Sequence, residues 1–232
     1  MKVNLFNEVG FTGEYRNTMK SFYGPYFDSA EKLDSFFYSV FKTEKDHSNY
    51  LPRRMMNQIQ RFISLAKDIE IIRPGVDSLR IIFLKICLES LASLSKTDKK
   101  SFYKHFAELI SDDGKKYILN NIKLIDLKSE DKQYKKDLTI DNFFDIIKSM
   151  REMAIHEGIC WETQLFSSDD MPLITTLTTN KNIFTDSKFY SKSGCDFEYC
   201  FETTLKFEEF IYYFIEACIS YLLKFIDDIY SK

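Results

Sequence analysis

Arg151-Glu152-Met153-Ala154-Ile155-His156 places an arginine and a histidine five positions apart, in a chain of 232 residues with three histidines. An imidazole titrates near neutral pH and can carry a proton in either direction. A guanidinium is a permanent cation whose planar fork matches phosphate oxygens. Held together, the two would supply a proton-transfer group and a fixed cation for phosphate chemistry. Apart, each has a plainer role. His156 is then a helix C-terminal histidine favoured by the macrodipole, and Arg151 the structural partner of an acidic side chain.

The element that carries them is a helix. Thr139 can N-cap a helix running to about Ile155, and Gly158 suits its end. Phe143, Ile147, Met150 and Ala154 form its apolar seam, while Asp141, Asp145, Lys148 and Glu152 form its wet face. At about 100° per residue, with Phe143 at zero, Arg151 falls near 80°, inside the apolar face. A guanidinium there is costly unless it is paired or hydrogen-bonded, which singles Arg151 out from a solvated arginine. His156 falls about 140° further round an ideal helix. A loosened last turn and the length of the arginine side chain would bring both to one cleft.

Other helices must frame that one. Residues 1–27 mix Gly10, Gly13, Gly24 and Pro25 with aromatics and read as an arm. Asp28 or Ser29 can cap a short helix to about Lys42, so that 1–48 packs on the main body. Pro52 can open a helix that ends at Pro74-Gly75 and carries Met55, Ile59, Phe62, Ile63, Ala66 and Ile69 at helical spacing. Residues 76–95 are the most hydrophobic early helix, with Arg80 and Glu89 as its polar exceptions. Shorter helices are expected at about 99–111 and 114–125, broken at Asp112-Asp113-Gly114, with loop over 126–137. Residues 160–204 read as a long loop with a possible hairpin, in which Asn180-Lys181-Asn182 turns Leu173–Thr178 into Ile183-Phe184. The last helix, about 205–230, is apolar on more than one face, so it is either deeply buried or shared with a second subunit.

Composition agrees with helices. Only 7 Gly and 4 Pro are present, too few for a turn-rich β-sandwich or barrel. The chain reads as a single mainly α domain over 1–232. Residues 96–136 carry 11 basic against 7 acidic side chains, and residues 137–232 carry 8 against 17. The acidic final third counts against an extensive RNA-binding surface there. Five cysteines lack a disulfide framework or zinc spacing; Cys87 and Cys218 read as small core residues. With no apolar leader after Met1 and no window of membrane-spanning length, the expected setting is the cytoplasm, with no membrane contact. No phosphate-cradling loop or nucleophile elbow is found, which disfavours nucleotide hydrolysis and acyl transfer.

Arg151, four residues, then His156, late in a helical chain, resembles the hallmark of HEPN domains (higher eukaryotes and prokaryotes nucleotide-binding): Arg, four to six residues, His. The resemblance covers six residues by motif and residues 50–232 by organisation. It implies a HEPN-like helical bundle with a loop or small hairpin insertion before the C-terminal helix, and a homodimer whose two motifs meet at one cleft. It also implies metal-independent RNA cleavage with no cofactor, His156 acting as general base or acid and Arg151 clamping the scissile phosphate. A toxin or defence effector, held by a protein antitoxin or regulator, is the role such membership suggests. The family usually has Asn or another small polar residue after the arginine. Here that position is Glu152, whose carboxylate would repel phosphate. The other reading is a non-catalytic HEPN-like binding or scaffold module that dimerises and engages a protein or nucleotide partner.

Overall fold

Apolar side chains at three- and four-residue spacing draw the long helices together, and a computed structural model shows where each begins and ends. It describes residues 2–128, 135–157, 163–168, 171–184 and 186–231. The helix stop expected at Gly158, and Cys160, lie outside the described residues. In chain order the helices are α1 (Lys2–Glu8), α2 (Gly13–Tyr23), α3 (Ala30–His47), α4 (Leu51–Ile72), α5 (Asp77–Ser95), α6 (Lys99–Leu109), α7 (Asp112–Asn120), α8 (Ile140–Glu152) and α9 (Phe207–Tyr230). The strands are β1 (Ile122–Ile125), β2 (Lys135–Asp137), β3 (Leu173–Thr179), β4 (Ser191–Ser193) and β5 (Asp196–Thr203). The protein is thus mostly helical with a small antiparallel sheet.

Local chemistry sets the helix starts. The side chains of Ser29, Asp98, Ser111 and Thr139 each accept a backbone N–H three residues on, satisfying a donor that the first turn leaves orphaned. Asn142 returns the bond to the Thr139 N–H, completing a capping box on α8. The N-terminal arm is itself helical, in α1 and α2, and α3 runs to His47 rather than Lys42. Leu5, Phe6, Phe11 and Phe41 from this region join one continuous apolar core with α4, α5, α8 and α9.

Helix α9 settles its two-sided apolar character within the chain. Its Phe207 meets Phe166, Phe210 meets Phe143 of α8, Phe214 meets Phe106 of α6, and Tyr221 meets Phe102. Tyr212 and Tyr213 reach Tyr26 and Tyr117 on yet another side. Each fully buried ring contributes about 1.5–3 kcal/mol. Burial within the chain therefore accounts for most of the pattern, with Tyr212 and Tyr230 the large aromatic side chains of α9 that stay exposed. Cys87 and Cys218 are both fully buried in this core, and burial pushes the Cys218 thiol up.

Two expectations fail at the sheet. The helix expected over 114–125 stops at Asn120, because Asn121 turns its side-chain amide back to the Tyr117 carbonyl and ties its own carbonyl to the Thr204 N–H. Ile122–Ile125 then pairs with β5, Leu124 opposite Phe201, and with β2 inside the stretch expected to be loop. Strand β3 does not fold back onto Ile183-Phe184. It runs antiparallel to β5 over seven pairs, Leu173 opposite Thr203 through Thr179 opposite Phe197. The alternation in β5, which buries Tyr199, Phe201 and Thr203, gives β3 a far longer partner than two residues could.

The break between α6 and α7 falls at Ile110-Ser111, so Asp112-Asp113-Gly114 forms the first turn of α7 rather than a gap. Gly114 is there for its lack of a side chain: a Cβ would lie 2.9 Å from Tyr213 Cγ and from Ile110 Cγ2. Those atoms are the root of a ring and a buried methyl, and neither can swing away. Gly114→Val is expected to destabilise by about 1–3 kcal/mol through overpacking, read as a lower midpoint in thermal unfolding; an unchanged or raised midpoint would show that α7 and α9 can part without cost.

Candidate functional site

Arg151 closes α8 on the side that faces α5. The buried seam of Phe143, Ile147 and Met150 fixes the rotation of the helix and leaves the Arg151 side chain 19% exposed. Its Nη2 lies 3.7 Å from Glu89 Oε2, the acidic exception in apolar α5. The structural-partner role for Arg151 is therefore present in the molecule.

The same carboxylates gather further cations. Lys85, one turn before Glu89 on α5, places Nζ 3.9 Å from Glu89 Oε1 and 3.9 Å from Glu152 Oε1. Lys99 Nζ stands 3.5 Å from Glu89 Oε2. Lys181, just past β3, donates to Glu152 Oε2 at 2.9 Å. Its turn is held by Tyr199, whose hydroxyl donates to Asn182 Oδ1 and accepts the Ile183 N–H. The Tyr103 ring of α6 lies 5.9 Å from Lys85 Nζ.

Electrostatics follow from this geometry. Burial, then repulsion from Arg151, pulls the Lys85 ammonium down to about 8, against the pull of Glu152 and Glu89. Burial alone would raise the Glu152 carboxyl, but the hydrogen bond and charge of Lys181, with Lys85 and Lys148, outweigh it and hold that carboxyl below its usual value. Burial pushes the Tyr103 phenol up, the Glu89 charge adding to it. Among the described residues, Lys85, Lys99, Arg151 and Lys181 stand against Glu89 and Glu152, while Lys148 also faces Asp145. The neighbouring cavity of about 420 Å³ is lined by Tyr103, Lys104, Asp141, Phe144, Asp145 and Lys148, so its two lysines are matched by two carboxylates, and the surplus of cations that suits an anionic ligand lies in the cluster around Arg151.

After Glu152 the helix widens into a π turn, Met153–Glu157, which carries His156. Such a turn is closed by bonds to the fifth residue, so each residue advances less than on an α-helix. The separation of positions 151 and 156 falls below the ideal of about 140°. The His156 side chain lies outside the described residues. Of the other histidines, His105 sits between Glu108 and Lys224, its Nδ1 3.4 Å from Glu108 Oε2, and His47 packs on Tyr230.

No family model, curated protein or solved structure matches this chain. The site therefore rests on its own residues. Sequence reading singles out Arg151 and His156, but not Lys85, Tyr103 or Lys181. One signal was there to use: Lys85 and Glu89 are four apart on one face of the most apolar early helix, where two charges must find partners. No helix among the described residues is long and apolar enough to cross a membrane.

Proposed function

We propose that this chain is a HEPN-like, metal-independent endoribonuclease with Arg151 and His156 as its catalytic pair. The observation that carries the reading is the charge balance around Arg151. Glu152, the residue that would repel a phosphate, is neutralised by Lys181 and Lys85, and the cluster as a whole is cationic. In this mechanism the 2′-hydroxyl oxygen attacks the adjacent phosphorus and loses its proton to a base. The P–O5′ bond breaks, and O5′ takes a proton from an acid. The products are a 2′,3′-cyclic phosphate and a 5′-hydroxyl. His156 serves the proton transfers, and Arg151 holds the phosphate oxygens as charge builds on them.

The resemblance carries a composite cleft, so two copies are needed. Helix α9 packs most of its apolar side chains within the chain and leaves Tyr212 and Tyr230 exposed. Ile155, in the π turn, and Met171 and Ile174, beside and within β3, are exposed apolar side chains near the motif in sequence or on the insertion. Cleavage of mixed single-stranded RNA in EDTA, with end-group analysis, tests the activity. Light scattering at micromolar concentration tests the assembly, with twice 27.5 kDa expected. RNA left whole across salt and pH would overturn the enzyme, and a clean monomer would remove its composite site.

One observation favours the second reading, a non-catalytic binding or scaffold module. The Arg151–Glu89 pair is also what a purely structural arginine makes. Such a module would bind a protein or nucleotide partner, leave RNA intact and lose stability, rather than rate, when Arg151 is changed.

A further inference from the structure

The ribonuclease reading leaves Lys85 without a task. Its side chain is 4% exposed in the middle of α5. A buried ammonium is costly unless paired, and a hydrophobic side chain of the same length usually fills such a place at least as well. Packing therefore does not explain the charge. Both its carboxylate neighbours stand 3.9 Å away, too far for a direct hydrogen bond. Lys85 acts on them through space. Those neighbours flank Arg151: Glu89 pairs with its guanidinium, and Glu152 follows it in the chain. The other cations on the two carboxylates, Lys99 and Lys181, are 63% and 67% exposed, so solvent and salt weaken them.

We propose that Lys85 is a positioning residue of the phosphate site: its buried charge offsets Glu89 and Glu152, so that Arg151 can engage an anionic phosphodiester. The identity of the ligand rests on the ribonuclease reading; the charge role rests on the geometry alone. The groups that face Lys85 are Glu89 on its own helix, Arg151, Glu152 and Lys148 from α8, and Tyr103 from α6. As pH rises through about 8, Lys85 gives up its proton, while exposed lysines with ordinary values near 10.4 keep theirs. Phosphate affinity should fall first in that window.

The probe is a fluorescent 2′-O-methyl oligonucleotide, which lacks the attacking hydroxyl and so reports binding without cleavage. Lys85→Met should weaken its binding roughly tenfold, a change of about the size one charge contact makes. Adding Glu152→Gln to Lys85→Met should restore most of that loss. Lys85→Arg should keep the affinity and erase the fall near pH 8. Melting curves accompany each variant; if Lys85→Met does not fold, the pH profile of Lys85→Arg decides. Binding by folded Lys85→Met equal to wild type, no rescue by Glu152→Gln, or an unchanged pH profile in Lys85→Arg would each overturn the proposal. Binding that depends on Lys85 in a protein that leaves RNA whole would sink the ribonuclease reading and keep this one. A wild type that does not bind the oligonucleotide would sink both.

Discussion

His156→Ala is expected to cut RNA at least about 10²-fold more slowly than the wild type, the usual scale for losing a general acid or base, with nearly the same melting temperature. Among the described residues of the π turn, Met153 and Ala154 are buried and Ile155 is exposed, and the change leaves the two core side chains in place. Arg151→Ala should cost a similar factor of about 10² through lost stabilisation of phosphate charge, but it is the less clean variant. It strips Glu89 of one of its partners between α5 and α8, so a drop in stability accompanies the drop in rate. Arg151→Lys separates the two effects, because it keeps the charge for Glu89 and loses the fork for phosphate. Single-turnover cleavage in EDTA, beside melting curves, reads all three. Folded His156→Ala that cuts at the wild-type rate would end the catalytic reading, and the scaffold module would take its place.

The helices that frame this site were legible because each buries one stripe, and a 3.6-residue stripe is a local pattern. Thr139 and Pro52 mark starts for reasons contained in a few neighbouring residues. The sheet was not legible in the same way. Ile122-Lys123-Leu124-Ile125 continues the apolar rhythm of α7, and what makes it a strand is β5, nearly eighty residues on. Strand β3 likewise takes its partner from beyond the nearest turn. The site divides along the same line. Arg151 and His156 share one stretch of helix, so their spacing could be read. Glu152 looked hostile to phosphate because its neutralising partners come from α5 and from the residue after the Asn180 position of the insertion. Charge balance in a buried cluster belongs to the tertiary structure, and a local window reports only the charge it contains.

Asp77→Ala should lower stability by about 3–5 kcal/mol, the scale for breaking a buried charged pair by removing one partner. Asp77 opens α5 and is 2% exposed. Its Oδ2 accepts the Leu165 and Phe166 N–H groups at 2.7 and 2.8 Å, and its Oδ1 lies 3.3 Å from Arg80 Nη1. Arg80 in turn stacks on Phe207, its guanidinium carbon 4.3 Å from the ring centre, and Leu165 returns its carbonyl to the Thr203 hydroxyl. One carboxylate thus joins α5 to the segment 163–168, and through it to the end of β5 and the start of α9. Alanine leaves two buried N–H groups without this acceptor, each worth about 1–3 kcal/mol. Asp77→Asn keeps an oxygen for them and loses the attraction to Arg80, so its cost should be smaller. The pH dependence has a definite sign. Burial raises the Asp77 carboxyl, and the bonds from Phe166 and Leu165 and the charge of Arg80 only partly oppose it. The folded state therefore holds the proton to higher pH than the unfolded chain, and wild-type stability from this group falls as pH rises from the unfolded value, about 3.9, through the raised one. Asparagine has no such slope. The stability gap between wild type and Asp77→Asn, measured by denaturant titration, should narrow as pH rises through that window; a gap that widens, or Asp77→Ala within about 1 kcal/mol of wild type, would show that the segment is held by something other than this carboxylate.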